Sequence, residues 1–236
     1  MKLENKTIIV TGSGRGIGEY IAKRLGREGA NIVVTARTRE DIEKVSRDIN
    51  TPYLNTGIKI GGKAIFIRGD VKREKDVKRV INTALKKFGK VDVLVNNAGA
   101  GLRKYLWETD VGEFKEVMDV NVKGVFLYMK NIIPEMEKHG GLIVNISSGA
   151  GKTGIPTLSV YCASKFAVIG LTEATAGEVE NIKIVALCPG SVDEGMFRRL
   201  FPGEKADLAP EEVAEKVADI CIHPEKYRSG QSIELY

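Results

Sequence analysis

The apolar positions of this chain fall into two alternating kinds of segment. Short β-branched runs occur at Thr7-Ile8-Ile9-Val10, Asn31-Ile32-Val33-Val34, Ala64-Ile65-Phe66-Ile67, Val91-Asp92-Val93-Leu94-Val95, Leu142-Ile143-Val144-Asn145-Ile146 and Ile182-Lys183-Ile184-Val185-Ala186. A weaker run ends the chain at Ser232-Ile233-Glu234-Leu235. Nearly unbroken apolar runs suit strands of a parallel sheet covered on both faces. Between them, 17–27, 39–49 and 72–88 carry apolar residues at spacings of three and four, the stripe of an amphipathic helix. Repeated strand–helix–strand units predict an α/β, doubly wound, Rossmann-type parallel sheet with helices on both faces. No linker or repeat interrupts the pattern, so one domain is expected over 1–236. The polar segment 50–62, with Pro52, reads as a long helix-to-strand loop. The charged, glycine-rich segment 191–208 reads as an irregular, mobile flap ahead of a helix that starts near Pro210.

The 236 residues (25.8 kDa) are 43% hydrophobic and 28% charged, an ordinary globular balance. A net charge of +5 over this length is mild and does not describe a nucleic-acid-binding protein. Cys162, Cys188 and Cys221 are odd in number and far apart, which predicts reduced thiols and a cytoplasmic location. His139 and His223 are the only histidines, so a multi-histidine metal site is excluded. The polar N-terminus lacks the apolar stretch of a signal peptide, and no run of about 18 apolar residues exists to span a membrane.

Directly after the first run comes Thr11-Gly12-Ser13-Gly14-Arg15-Gly16-Ile17-Gly18, and a helix follows. A phosphate at a helix N-terminus needs backbone N–H groups aimed at it and no Cβ in the way. Gly12, Gly16 and Gly18 meet that demand, although the spacing is G-x-x-x-G-x-G rather than G-x-G-x-x-G. A glycine-rich turn without a ligand is the plainer reading. The second run ends Thr35-Ala36-Arg37, with no acid to hold a ribose 2′-hydroxyl. Arg37, together with Arg15 in the glycine loop, favours a 2′-phosphate and hence NADP(H) over NAD(H). The alternative is that both are solvated surface charges.

Tyr161 and Lys165 stand four residues apart, on one face of a helix. An ammonium about 4–5 Å away, at an effective dielectric near 20, stabilises a phenolate by roughly 4 kcal/mol. That lowers the tyrosine pKa by as much as about three, toward the range a general acid–base needs. Ser148 ends the fifth run, where ligands of doubly wound folds bind, and is placed to donate to a substrate carbonyl oxygen. A strand-end serine that only serves a turn is the competing reading.

Together these segments resemble the short-chain dehydrogenase/reductase family, and in particular its 3-oxoacyl-acyl-carrier-protein reductases. The resemblance rests on Thr11 to Gly18, Asp70-Val71, Asn96-Asn97-Ala98-Gly99, Asn121, Ser148, Tyr161 to Lys165 and Pro189-Gly190, in family order. It implies seven strands in the order 3-2-1-4-5-6-7, and a homodimer or homotetramer. It implies catalysis by Asn121, Ser148, Tyr161 and Lys165: Tyr161 exchanges the proton, Ser148 positions the substrate oxygen, Lys165 lowers the tyrosine pKa and binds the nicotinamide ribose, and Asn121 holds a relay water. It implies cofactor contacts from Gly12, Ser13, Arg15, Gly16, Ile17, Gly18, Arg37, Asp70, Val71, Asn97, Ala98, Gly99, Tyr161, Lys165, Pro189, Gly190 and Val192. No metal is called for.

Three departures stand out. Glu194 occupies a place where the family often has a cofactor-contacting threonine. The chain ends Ile233-Glu234-Leu235-Tyr236 without the Asp-Gly-Gly that often supports a tetramer. His139 and Glu180 stand where carrier-binding arginines would align. The expected partner is a small carbonyl or alcohol, with no nucleic acid and no membrane. Its pocket would be formed by 100–107, 155–160, Met196, Phe197 and Phe201, which are mostly apolar. Competing readings are a dinucleotide-binding scaffold or regulator, and an epimerase or dehydratase relative. Small residues Ala163, Ala167, Gly170 and Ala174 permit close helix packing, against the sheet or, by the resemblance, against a second subunit.

Overall fold

The computed structural model describes residues 1–51 and 61–236, so most of the expected 50–62 loop, including Pro52, lies outside the described residues. Seven strands, β1 (Thr7–Thr11), β2 (Asn31–Thr35), β3 (Ala64–Phe66), β4 (Val93–Asn96), β5 (Gly141–Ile146), β6 (Ile182–Pro189) and β7 (Ser232–Leu235), form one sheet. Its order is β3-β2-β1-β4-β5-β6-β7 and every pairing is parallel, as the sequence implied. The helices are α1 (Gly16–Arg27), α2 (Arg39–Asn50), α3 (Glu74–Phe88), α4 (Val111–Met118), α5 (Gly124–Met136), α6 (Ser159–Ala176), α7 (Gly195–Leu200) and α8 (Pro210–Ile222).

Strand alternation sorts the apolar side chains into two cores. Ile8 and Val10 of β1 point to the face covered by Ile21 and Leu25 of α1, Ile42 of α2 and Val213 and Val217 of α8. Ile9, between them, points to the face covered by Val80 of α3, Tyr128 and Ile132 of α5 and Val168 of α6. That two-sided burial is why the runs read as continuous apolar segments.

Strand order reverses between β1 and β4, so the loops leaving their carboxyl ends diverge and open a crevice. Between α4 and α5 the chain makes a π turn over Asp119–Lys123, which buries Asn121 completely. The expectation of an irregular flap at 191–208 is corrected: it contains α7. The Glu194 carboxylate caps that helix by accepting the Met196 N–H (2.8 Å), and Arg198 pairs with Asp193 (2.7 and 3.0 Å). Ser191 donates to Asp207 (2.6 Å) and Val192 bridges Leu208, closing the base of the segment. Among the described residues no helix is long and apolar enough to cross a membrane.

Asp92, just before β4, ties the start of the sheet together. Its buried carboxylate accepts from the Thr7 N–H (2.9 Å), Lys90 (2.8 Å) and Lys6 (3.2 Å). Burial pushes its pKa up, but Lys90, the Thr7 amide and Lys6 outweigh that and hold it below the ordinary 3.8. The folded-state pKa therefore lies below the unfolded one. The stabilisation is complete above the unfolded value and is lost as pH falls through the folded value. Urea titrations of Asp92→Asn are expected to show a loss of about 1–3 kcal/mol at neutral pH that disappears in acid. A loss that stays constant down to pH 2 would contradict this assignment.

Candidate active site

The crevice is built by a clasp between the ends of β1 and β4. The Thr11 hydroxyl oxygen accepts the N–H groups of Asn97 and Ala98, each at 3.0 Å. In return the Asn97 Nδ2 donates to the carbonyls of Thr11 (2.9 Å) and Gly12 (3.4 Å). Gly12 has φ +65°, and a Cβ there would lie 2.8 Å from the Ala98 Cα. A Cβ on Gly18 would lie 2.4 Å from the Asn97 Nδ2, so the first turn of α1 abuts the clasp.

A cavity of about 470 Å³ opens over this clasp. Gly12, Arg15, Gly16, Ile17, Gly18, Arg37, Asp70, Val71, Asn97, Ala98 and Gly99 line it. Of the other expected contacts, Tyr161, Lys165, Pro189, Gly190 and Val192 do not line it, and neither does Ser13, whose side chain is turned into the fold. It is fully buried: its hydroxyl donates to the Val10 carbonyl (2.7 Å) and accepts the Thr35 N–H (3.0 Å), while its own N–H binds the Thr35 carbonyl (3.2 Å). Ser13 fastens the glycine loop to β2. Asp70 both lines the cavity and caps a turn by accepting the Lys72 N–H (3.0 Å). Arg15 is exposed, and Arg37 is 63% exposed with a long contact to Glu116 (3.7 Å), so both cations are accessible to a ligand.

The sequence reading missed several lining residues, among them Thr38, Asp41, Val120 and Arg199. Asp41 carried the one readable signal: an acid in the first turn of α2, four residues after Arg37.

A second cluster lies at the carboxyl ends of β5 and β6. Ser148 caps the short turn 149–151, its hydroxyl oxygen accepting the Ala150 N–H (3.2 Å). The Tyr161 phenol, in the first turn of α6, is hydrogen-bonded by the Ser148 side chain. Lys165, one turn on, is 5% exposed; its Nζ donates to the Ile146 carbonyl (2.9 Å) and lies 5.7 Å from the Tyr161 ring centre. Beneath them a buried relay, Asn96 to Asn145 (2.8 Å) to Thr172 (2.9 Å), fastens α6 to β4 and β5. Asn121 has both amide protons engaged, on the Ala100 carbonyl and the Ser164 hydroxyl (2.9 Å each), and its Oδ1 accepts the Ala100 N–H (2.7 Å). Its side chain braces the loop after β4 against α6. Of the remaining expected contacts, the Val192 side chain is buried in the core and the Gly190 N–H binds the Leu235 carbonyl (2.8 Å).

Burial dominates the electrostatics of this cluster. Burial pushes the Tyr161 phenol up to about 12; the Ser148 hydrogen bond works against that rise and the Glu194 charge adds to it. Burial also pushes the Lys165 ammonium down to about 8. In this structure the Lys165 ammonium is held on the Ile146 carbonyl and not on the phenol, and burial is the largest influence on both groups.

A parallel sheet with a glycine loop at its point of strand reversal is a Rossmann-type, doubly wound fold. Comparison with known proteins agrees. The family described as short chain dehydrogenase matches residues 6–205, and the chain belongs to it. The chain is 37% identical to an uncharacterized oxidoreductase of Thermotoga maritima over 221 residues, 92% of this chain and 82% of that one. It is 33% identical to an NADPH-dependent pterin aldehyde reductase of Arabidopsis thaliana, covering 98% and 93%. Among solved structures it is similar to a 3-ketoacyl-(acyl-carrier-protein) reductase of Brucella melitensis complexed with NADH: TM-score 0.87, 30% identity, covering 98% and 97%.

The Ser13 assignment has a direct check. Ser13→Ala strips the Thr35 N–H of its acceptor and is expected to cost about 1–3 kcal/mol in denaturant unfolding. Dinucleotide affinity of the folded variant, measured by calorimetry, should change by less than about threefold. A large affinity loss at unchanged stability would return Ser13 to the binding set.

Proposed function

We propose that this oxidoreductase transfers a hydride between NADP(H) and a carbonyl or secondary alcohol, acting on a small hydrophobic ketone or 3-oxoacyl-type compound. The carrying observation is the grouping of Ser148, Tyr161 and Lys165 at the carboxyl end of the sheet that holds the glycine cradle. The cradle fits a dinucleotide, since Gly16 opens α1 on the cavity with only the Glu194 carboxylate where a Cβ would stand. Gly12, Gly16, Ile17 and Gly18 would face the pyrophosphate. Asp70, Val71, Asn97, Ala98 and Gly99 would border the adenosine and the ribose, and Arg15 and Arg37 would take the 2′-phosphate. Lys165, Pro189, Gly190 and Val192 would bound the nicotinamide end. Bound there, the dinucleotide supplies or accepts the hydride.

The chain's own groups handle the oxygen. As charge grows on a substrate carbonyl oxygen, Tyr161 delivers its proton and Ser148 donates a hydrogen bond, both strengthening toward the transition state. A phenol with a pKa near 12 stays protonated throughout the neutral range, so it is poised as an acid for carbonyl reduction. Lys165 would bind the nicotinamide ribose, and Asn121, its side-chain groups all engaged, would hold the loop after β4 in place beside it. Met196, Phe197 and Phe201 of the 191–208 flap favour an apolar substrate, with the two phenylalanine rings stacked at 5.1 Å. Exposed Phe114, Phe126 and Phe166 favour a homodimer or homotetramer, and three buried free thiols favour a reducing cytoplasmic compartment.

Steady-state assays with ketones, aldehydes, diketones and 3-oxoacyl thioesters test the proposal. Reduction is expected to prefer NADPH over NADH by about tenfold or more, and Tyr161→Phe to lower kcat by about 10²–10⁴ while NADPH still binds. Since the phenol ionises only near 12, alcohol oxidation should climb with pH across the alkaline range while reduction stays level through neutrality. Full turnover by Tyr161→Phe would refute the catalytic assignment; binding without turnover on every substrate would favour the scaffold reading.

A further inference from the structure

Glu194 makes a contact that its role as a helix cap does not require. One carboxylate oxygen, Oε1, accepts the Met196 N–H at 2.8 Å and starts α7. The other, Oε2, lies 2.8 Å from where a Cβ on Gly16 would stand, and the carboxyl carbon lies 3.7 Å from the same point. Gly16 opens α1, where bare backbone faces the cavity. The N-terminus of a twelve-residue helix attracts an anion. Here the anion is the protein's own. The neighbouring cation Arg198 spends its hydrogen bonds on Asp193 and acts on the Glu194 charge only through space.

The other end of α7 is also fastened across the crevice. Arg103 donates to the Leu200 carbonyl (3.0 Å) and to Glu204 (3.1 Å), and stacks on Phe201 at 4.3 Å. Met196 and Leu200 close over Gly101: a Cβ there would lie 2.8 Å from the methionine sulfur and 2.7 Å from a leucine methyl. α7 therefore roofs the loop after β4, with Glu194 reaching past it to the glycine loop.

We propose that Glu194 sets the protein's affinity for its cofactor: its carboxylate occupies the anion position at the start of α1, and a dinucleotide binds only by displacing it. This rests on the reading of the crevice as a dinucleotide site. A pyrophosphate and a carboxylate cannot share that position, because two anions about 4 Å apart repel strongly in a partly desolvated site. Binding therefore includes moving Glu194 off Gly16. The same carboxylate is felt by the Tyr161 phenol, so its displacement also brings the catalytic hydroxyl closer to ionisation.

The test is NADPH affinity, measured by nucleotide fluorescence at low salt, for the wild type, Glu194→Gln and Glu194→Ala. Glutamine keeps an acceptor for the Met196 N–H and removes the charge; alanine removes both. Tighter binding by about tenfold in Glu194→Gln, with a gain also in Glu194→Ala, supports the proposal. Trypsin should also cut after Arg198 or Arg199 several-fold faster in unliganded Glu194→Gln than in the wild type. Equal or weaker binding in Glu194→Gln overturns the proposal, as does a loss confined to Glu194→Ala, which marks a structural cap alone. The two readings fail separately. If the wild type turns over NADPH and Tyr161→Phe does not, a lack of gain in the variants rejects only the Glu194 role. If Tyr161→Phe turns over normally while Glu194→Gln tightens binding, only the catalytic reading fails. If no form binds NADPH, both are rejected.

Discussion

The structure turns on the hydroxyl oxygen of Thr11. It accepts two successive backbone N–H groups from the loop after β4, and so fixes the spacing of the two strands between which sheet order reverses. Asn97 answers with its own amide on the Thr11 and Gly12 carbonyls. These amides are part-buried at the floor of the crevice, where losing a partner leaves them poorly solvated. With the clasp closed, Gly12 is pressed against Ala98 and the first turn of α1 against Asn97, and the cradle has one shape.

Around that fixed centre the functional groups divide by mobility and charge. The α6 side is rigid: Asn96, Asn145 and Thr172 fasten it from below, and Asn121 fastens it to the loop after β4. The α7 side packs Met196 and Leu200 over Gly101 and is otherwise held by exposed polar contacts, the Arg103 and Arg198 ion pairs and the Glu194 carboxylate, of small net strength. A rigid wall carrying Tyr161 and Lys165 opposite an exchangeable wall carrying Glu194 suits a site that must admit a large anion and then exclude water from a reacting carbonyl.

The sheet was legible because its strands are buried on both faces and therefore leave unbroken apolar runs; the order of those strands came from the family motifs. The glycine cradle, Ser148, Tyr161 and Lys165 were legible because their spacing reflects local geometry. Other features depended on contacts that sequence spacing does not encode. Ser13 sits inside the cofactor motif, yet its bonds run to β2, twenty-two residues away in sequence. The helical spacing says that Lys165 is near Tyr161, but not that the ammonium is drawn to a carbonyl of β5 or that both groups are buried. α7 was missed because six residues with glycine at the start and charge at the end carry no periodic signal; its cap and its pairing with Asp193 order it. Glu194 was visible as a departure from the family pattern, but its seat on Gly16 required the structure.

The most direct measurement is NADPH titration of Thr11→Val at a temperature where thermal unfolding shows the variant folded. The substitution keeps the side chain's volume while stranding the Asn97 and Ala98 N–H groups. A loss of affinity of more than about tenfold is expected as the cradle loosens. Wild-type affinity in a folded Thr11→Val protein would contradict the account, because the clasp would then be irrelevant to the site it is said to build.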